Sequence, residues 1–248
     1  TRYIATLVFR FHVAKVRDFL RGSHIAFSET LSKTRLLIPV YESAGLQILW
    51  DELNPWREAW QKIASGKDKV IPLILPEGSL SDIANVSANQ AASGNKKRLL
   101  ELARRYNLTD VLVAHGVLMQ DLNANVPRLH VTMRKIGPVN SDVIVQSFTG
   151  TSRNQVNQLI MKGAEKTMLR LEDDWKASNR IYFDRPDRLS VQIVLPTVSF
   201  WVTLKKRIES IALIDRVEIS YLSRDNAQVV LHYFGDPEQL VFALSPRD

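Results

Sequence analysis

Five histidines, His12, His24, His115, His130 and His232, are the side chains best suited to acid–base or metal chemistry near neutral pH in this 248-residue sequence. No two lie three or four residues apart, and no HExxH-like or Asp/Glu-paired ligand spacing surrounds them. His115 and His130 fall in strand-like runs and are placed to be neighbours across a hairpin, so strand-surface or satisfied core histidines are expected. Cysteine is absent, which excludes disulfides, thiolate zinc sites and cysteine nucleophiles together. Neither a G-x-S-x-G elbow nor an S-x-x-K set with its supporting residues occurs. Ser93-Gly94-Asn95-Lys96-Lys97 precedes a helical pattern but lacks the glycines and the preceding strand of a phosphate loop, and reads as an ordinary cap. The expectation is therefore no catalytic set, no cofactor, no metal and no small-molecule substrate.

Two segments are left as candidate binding surfaces. Leu49 to Trp60 holds three of the five tryptophans, Trp50, Trp56 and Trp60, beside Asp51, Glu52 and Glu58. Carboxylates at a helix start suit the macrodipole without any acid–base role. The segment reads first as a loop and helix clamped by tryptophan packing, with Trp50 the most buried, and second as a partner-binding surface with Trp60 its best contact. The other candidate is a basic helix face carrying Lys97, Arg98, Arg104 and Arg105, which could meet an anion or anionic lipid.

The formal charge is +7, with 24 Lys/Arg against 17 Asp/Glu in residues 1–178 and nine of each in residues 179–248. That excess is spread out rather than gathered into a tail, so it serves solubility before it serves a polyanionic partner. No apolar run approaches the ~18 residues that span a bilayer. The strand-like run at Tyr3–Phe9 stands at the very start, with no basic-then-apolar leader before it, so the sequence is expected to be a trimmed fragment.

Around these residues the pattern alternates strands and helices. A β-rich run over Tyr3–Phe11, a helical stretch from Val13 to Leu31 and strands over Arg35–Tyr41 and Leu46–Trp50 come first. Asn54 and Pro55 then cap a helix over Trp56–Ile63, and Val70–Leu75 reads as a strand. Residues 77–95 are polar and small and fit capped turns or a mobile excursion; Lys96–Tyr106 is amphipathic. Three strands over Asp110–Met119, Arg128–Ile136 and Asp142–Phe148 follow, then a long helix from Ser152 with a capping box to Gln155. A hinge over Asp174–Arg188 separates residues 1–178 from residues 185–248. The latter reads as a β-α-β-β-α unit, a ferredoxin-like split βαβ domain lacking its last strand. The fold class is thus α/β (α+β) in two domains. RNA-binding domains share that second topology, but the strand Ala227–Phe234 lacks a basic-Gly-aromatic start, and nucleic acid is not expected.

Arg35–Tyr41, Leu49-Trp50, Asn54-Pro55-Trp56-Arg57-Glu58-Ala59-Trp60 and the pattern Trp201…Val217…Tyr233-Phe234-Gly235 together resemble the uncharacterised proteobacterial family DUF2066. That resemblance implies export, with a signal sequence outside this sequence and a periplasmic location; it brings no activity and no catalytic residue. Residues 70–178, through Thr109–Gly116 and a closing helix, resemble the N-terminal domain of TolB, an interaction module of the cell envelope. The resulting expectation is a non-enzymatic envelope protein that binds another envelope protein; the alternative is an anion- or lipid-binding module using the basic first domain.

Overall fold

A computed structural model describes residues 8–66, 69–121, 126–137, 141–183 and 186–245. These residues form two compact units: residues 31–175, and residues up to 30 together with those from 176. Residues 8–30 group with the part of the chain from residue 176 on. Within that smaller unit, the Ile181 amide donates to Phe27 O at 2.9 Å, and the Phe27 and Phe183 rings lie 5.5 Å apart. Helix α1, Val13–Gly22, is tied to the same unit by Arg21, which donates to Ala212 O and Ile214 O at 3.0 Å each. The expected helix to Leu31 stops at Gly22, and His24 takes a left-handed φ of 53°. Most of the expected strand Tyr3–Phe11 lies outside the described residues, and positions 8–12 have no regular structure.

The large unit contains β1 (Arg35–Ser43), β2 (Leu46–Ile48), α2 (Pro55–Ala64), β3 (Leu73–Ile74), α3 (Leu80–Asn85), α4 (Ala88–Ala92) and α5 (Lys96–Arg105). It continues with β4 (Val111–Asp121), β5 (Val126–Ile136), β6 (Ser141–Thr149) and α6 (Val156–Ser178), whose last residues pass into the small unit. The sheet is mixed, in the order β2-β1-β4-β5-β6, with β1 and β4 parallel and the rest of that path antiparallel. β3 pairs with Arg35 and Leu36 and β2 with Tyr41 to Ser43, so Pro39 falls between them, where that edge of β1 has no neighbour to miss its N–H.

Alternation along the strands loads both faces. Leu37, Leu112, Leu129, Val131 and Met133 meet α2 and α6 through Trp56, Trp60, Ile160 and Met168. Leu36, Ile38, Val40, Val111 and Val113 meet α4 and α5 through Ala91, Leu99 and Leu102. Two glycines permit close approaches within this packing. A Cβ on Gly163 would stand 2.5 Å from Leu129 Cδ2, and one on Gly116 would stand 2.9 Å from the Trp56 ring. The polar stretch 77–95 resolves into α3 and α4, each opened by a capping box, Ser79 with Asp82 and Ser87 with Gln90. The box expected between Ser152 and Gln155 is replaced by a 3-10 turn over Arg153–Gln155, and the strand expected over Val70–Leu75 shrinks to β3.

The small unit is completed by β7 (Pro186–Val194), α7 (Val198–Glu209), β8 (Ile214–Leu222), β9 (Asn226–Phe234) and α8 (Pro237–Leu244). Its three antiparallel strands lie in the order β7-β9-β8, the arrangement of a split βαβ unit. Trp201, Ile208 and Leu240 from the helices pack on Val229, Leu231 and Tyr233.

Candidate functional site

The helices α4 and α5 meet one face of the large sheet at the β1–β4 side. Beyond them the same face carries His115, Val117 and Met119 on β4, Arg128, His130, Thr132 and Arg134 on β5, and Val143, Val145 and Ser147 on β6. The register sets Val117 opposite His130 and His115 opposite Thr132, so the two histidines are diagonal neighbours. Each is held: His115 Nε2 is 3.0 Å from Glu42 Oε2, which also accepts from Gln47 at 2.8 Å, and His130 Nδ1 is 2.7 Å from Ser147 Oγ. Arg134 packs beneath the α4–α5 turn, where a Cβ on Gly94 would meet its Cδ at 3.4 Å, and its Nε is buried with no hydrogen-bond partner among the described residues. Val145 is 67% exposed, and Met119 and Val143 are exposed as well. On this face Val143 and Val145 stand opposite Arg134 and Thr132, while Met119 stands opposite Arg128 toward the other end.

A serine within hydrogen-bonding distance of a histidine is the spacing of an activated nucleophile. Here Ser147 lies on an edge strand in an exposed position, and its pairing with His130 is the ordinary cross-strand contact of directly opposed residues. Among the described residues, no three His, Asp or Glu side chains gather closely enough to hold a metal ion.

Other polar clusters belong to the scaffold. Asp82, buried, accepts from Tyr106 Oη at 2.8 Å, from Ser79 N at 3.1 Å and from Gly78 N at 3.2 Å. Burial alone would raise its pKa, but these hydrogen bonds outweigh it and hold the carboxyl below its ordinary value. Arg57 donates to Pro76 O beside it, so the network pins the chain between β3 and α3. In the small unit, His232 Nε2 lies 2.9 Å from Glu218 Oε2, with Arg188 and Arg216 opposite His232 in the register. The His232 hydrogen bond holds the Glu218 carboxyl low. A cavity of about 420 Å³ in the same unit is lined by Leu204, Ile208, Ile211 and Leu213 with Arg17 and Arg207, and Arg17 is closed on Glu29 at 2.7 Å.

The tryptophans fall differently from the ranking drawn on the sequence. Trp56 and Trp60 are fully buried, edge to face at 5.6 Å and 87°, and Trp56 Nε1 donates to Ala114 O at 2.8 Å. Trp60, the expected best contact, offers no surface to a partner, because α2 turns it between the sheet and α6. Trp50, expected to be the most buried, is half-exposed and donates to Val86 O at 2.7 Å. Lys97, Arg98, Arg104 and Arg105 are all exposed on α5. Arg98 stands 3.7 Å from Glu101, and Arg105 stands 3.9 Å from Asp82 and donates to Ser81 Oγ. Sequence reasoning passed over the β5 face, although the alternation of Arg128, His130, Thr132 and Arg134 with Leu129, Val131 and Met133 marks a strand with one covered and one polar side.

No family model matches the chain, and no curated protein matches it. Among solved structures it is similar to a PelC point-variant dodecamer from Paraburkholderia phytofirmans, with 15% identity over 58% of this chain and 94% of that chain. The TM-score is 0.31, below that of a shared fold.

Proposed function

We propose that this chain is a non-enzymatic protein of the bacterial envelope that binds another envelope protein through the open face of β4, β5 and β6. The observation that carries this reading is the exposed pair Val143 and Val145 on β6, with Arg134 and Thr132 directly opposite them on β5. Solvated sheet faces are normally polar, and exposed apolar residues rimmed by polar ones are what docking surfaces look like. The Arg134 guanidinium opposite Val143 suits a partner that presents apolar side chains beside a carboxylate. The envelope assignment and the periplasmic location rest on the resemblance of the Leu49–Trp60 segment to DUF2066 and of residues 70–178 to the TolB N-terminal domain.

Val143→Asp with Val145→Asp should abolish capture of the partner in chemical crosslinking from intact cells, because two carboxylates would stand where apolar contact is needed. The same variant should keep its melting temperature, since both side chains face solvent. Undiminished capture by the folded variant would refute the reading.

The second reading, an anion- or lipid-binding module, has the exposed cations of α5 in its favour. Two of the four, Arg98 and Arg105, already face carboxylates, which leaves Lys97 and Arg104 as its strongest contributors. Reversing those two should leave partner capture intact if the sheet face is the docking surface.

A further inference from the structure

Residues 8–19 hold an arrangement that the fold does not use. Phe9, Phe11 and Phe19 are 74%, 79% and 67% exposed, Val8 and Val13 are equally bare, and α1 buries none of its residues. Leaving three phenylalanines in water forgoes burial that a packed fold would collect, and so many in one short stretch mark a contact surface. Cations are interleaved with them: Arg10 and Lys15 are exposed, and His12 stands between Phe11 and Val13.

The geometry of α1 sorts these groups by direction. Val16, Arg17, Leu20 and Arg21 are half-buried, and the two arginines are consumed inward, Arg17 by Glu29 at 2.7 Å and Arg21 by the carbonyls of Ala212 and Ile214. Lys15 and Phe19, four residues apart, share the exposed flank. What faces outward is therefore aromatic and basic, with Asp18 as the acidic residue of the segment. The exposed groups continue from an irregular stretch into a helix of ten residues, far too short to span a bilayer.

We propose that residues 8–19 form a membrane-surface contact for anionic phospholipid, with Phe9, Phe11 and Phe19 entering the boundary between headgroups and acyl chains and Arg10 and Lys15 meeting headgroup phosphates. Aromatic residues paired with Lys/Arg on a short amphipathic segment are the composition of interfacial anchors. The inference is independent of the sheet-face reading. It shares only a ligand class with the α5 reading.

The test is co-sedimentation of the full chain with vesicles of phosphatidylethanolamine and phosphatidylglycerol, against vesicles of phosphatidylcholine alone. Binding should be confined to the anionic vesicles and should weaken several-fold in Arg10→Glu with Lys15→Glu and at high salt. Phe9→Ser, Phe11→Ser and Phe19→Ser together should lower it roughly tenfold or more, with an unchanged melting temperature. Three results would overturn the proposal. One is no binding by the unaltered chain at low salt. Another is undiminished binding by the phenylalanine variant alongside loss on reversing Lys97 and Arg104, which assigns the contact to α5. The third is an oligomer that the phenylalanine variant splits into monomers without any vesicle binding, which assigns the face to a second copy of the chain.

Discussion

Helices α1 and α2 are each ten residues long and similarly amphipathic, yet α2 buries Trp56, Ala59, Trp60 and Ile63 while α1 buries nothing. Their starts differ in the same sense. Asn54 Oδ1 accepts from Arg57 N at 2.9 Å, Pro55 occupies the first helical position and Glu58 complements the macrodipole. His12 makes no side-chain cap bond, and the first turn of α1 has no acidic residue. Local and tertiary preferences agree in α2, which fixes the sheet from one side. In α1 Val16 and Leu20 are only half-buried, and Val13 and Phe19 stand exposed. Amphipathicity alone therefore does not say whether a helix belongs to a core or to a partner; what its apolar face touches does.

The largest way to break that contrast is at the tryptophans. Trp56→Ala or Trp60→Ala should each destabilise the large unit by about 3–5 kcal/mol, as for other large core aromatics, seen as a fall in the denaturation midpoint. Phe19→Ala in α1 should change stability by less than about 0.5 kcal/mol. Trp→Phe sharpens the point within α2. Trp56→Phe strips Ala114 O of its donor, whereas Trp60 Nε1 is buried without a partner among the described residues, so Trp56→Phe should be the costlier by about 1 kcal/mol. Equal losses at Trp56 and Phe19 would mean that α1 packs as α2 does.

A smaller effect separates the two caps. Asn54→Ala should cost about 1 kcal/mol, because the Arg57 amide loses its acceptor, while His12→Ala should cost nothing measurable by the same chemical denaturation.

Much of this architecture is legible in the residues. The alternation in Arg128–Ile136 and the turn residues on either side mark β5 within two positions of its observed start, and Asn54-Pro55 places α2 to within a residue. Helix α5 reads directly from Leu99, Leu102 and Ala103. Local pattern failed where a partner outside the segment decides. Val13 to Leu31 keeps a helical spacing, but the chain turns at His24 to bring Phe27 against Ile181 and Phe183, far along the sequence. The reading of Trp50 rests on its place at a strand end and that of Trp60 on its polar neighbours, whereas α6 and the sheet bury Trp60 and Trp50 packs beside Val86 in the other cluster, which no short window contains. The diagonal histidines were foreseeable from hairpin spacing. Their bonds to Glu42 and Ser147 depended on a register that spacing alone does not supply.

The central claim is that the open face of β4, β5 and β6 is where a partner docks, and photo-crosslinking from single positions in intact cells tests it most directly. A photoreactive residue at 143 or 145, exposed on β6, should give one discrete adduct that is absent from position 144, whose side chain packs against the α2–α6 side of the sheet, and from positions 97 and 104 on α5. Adducts from 97 and 104 with none from 143 or 145 would contradict the account.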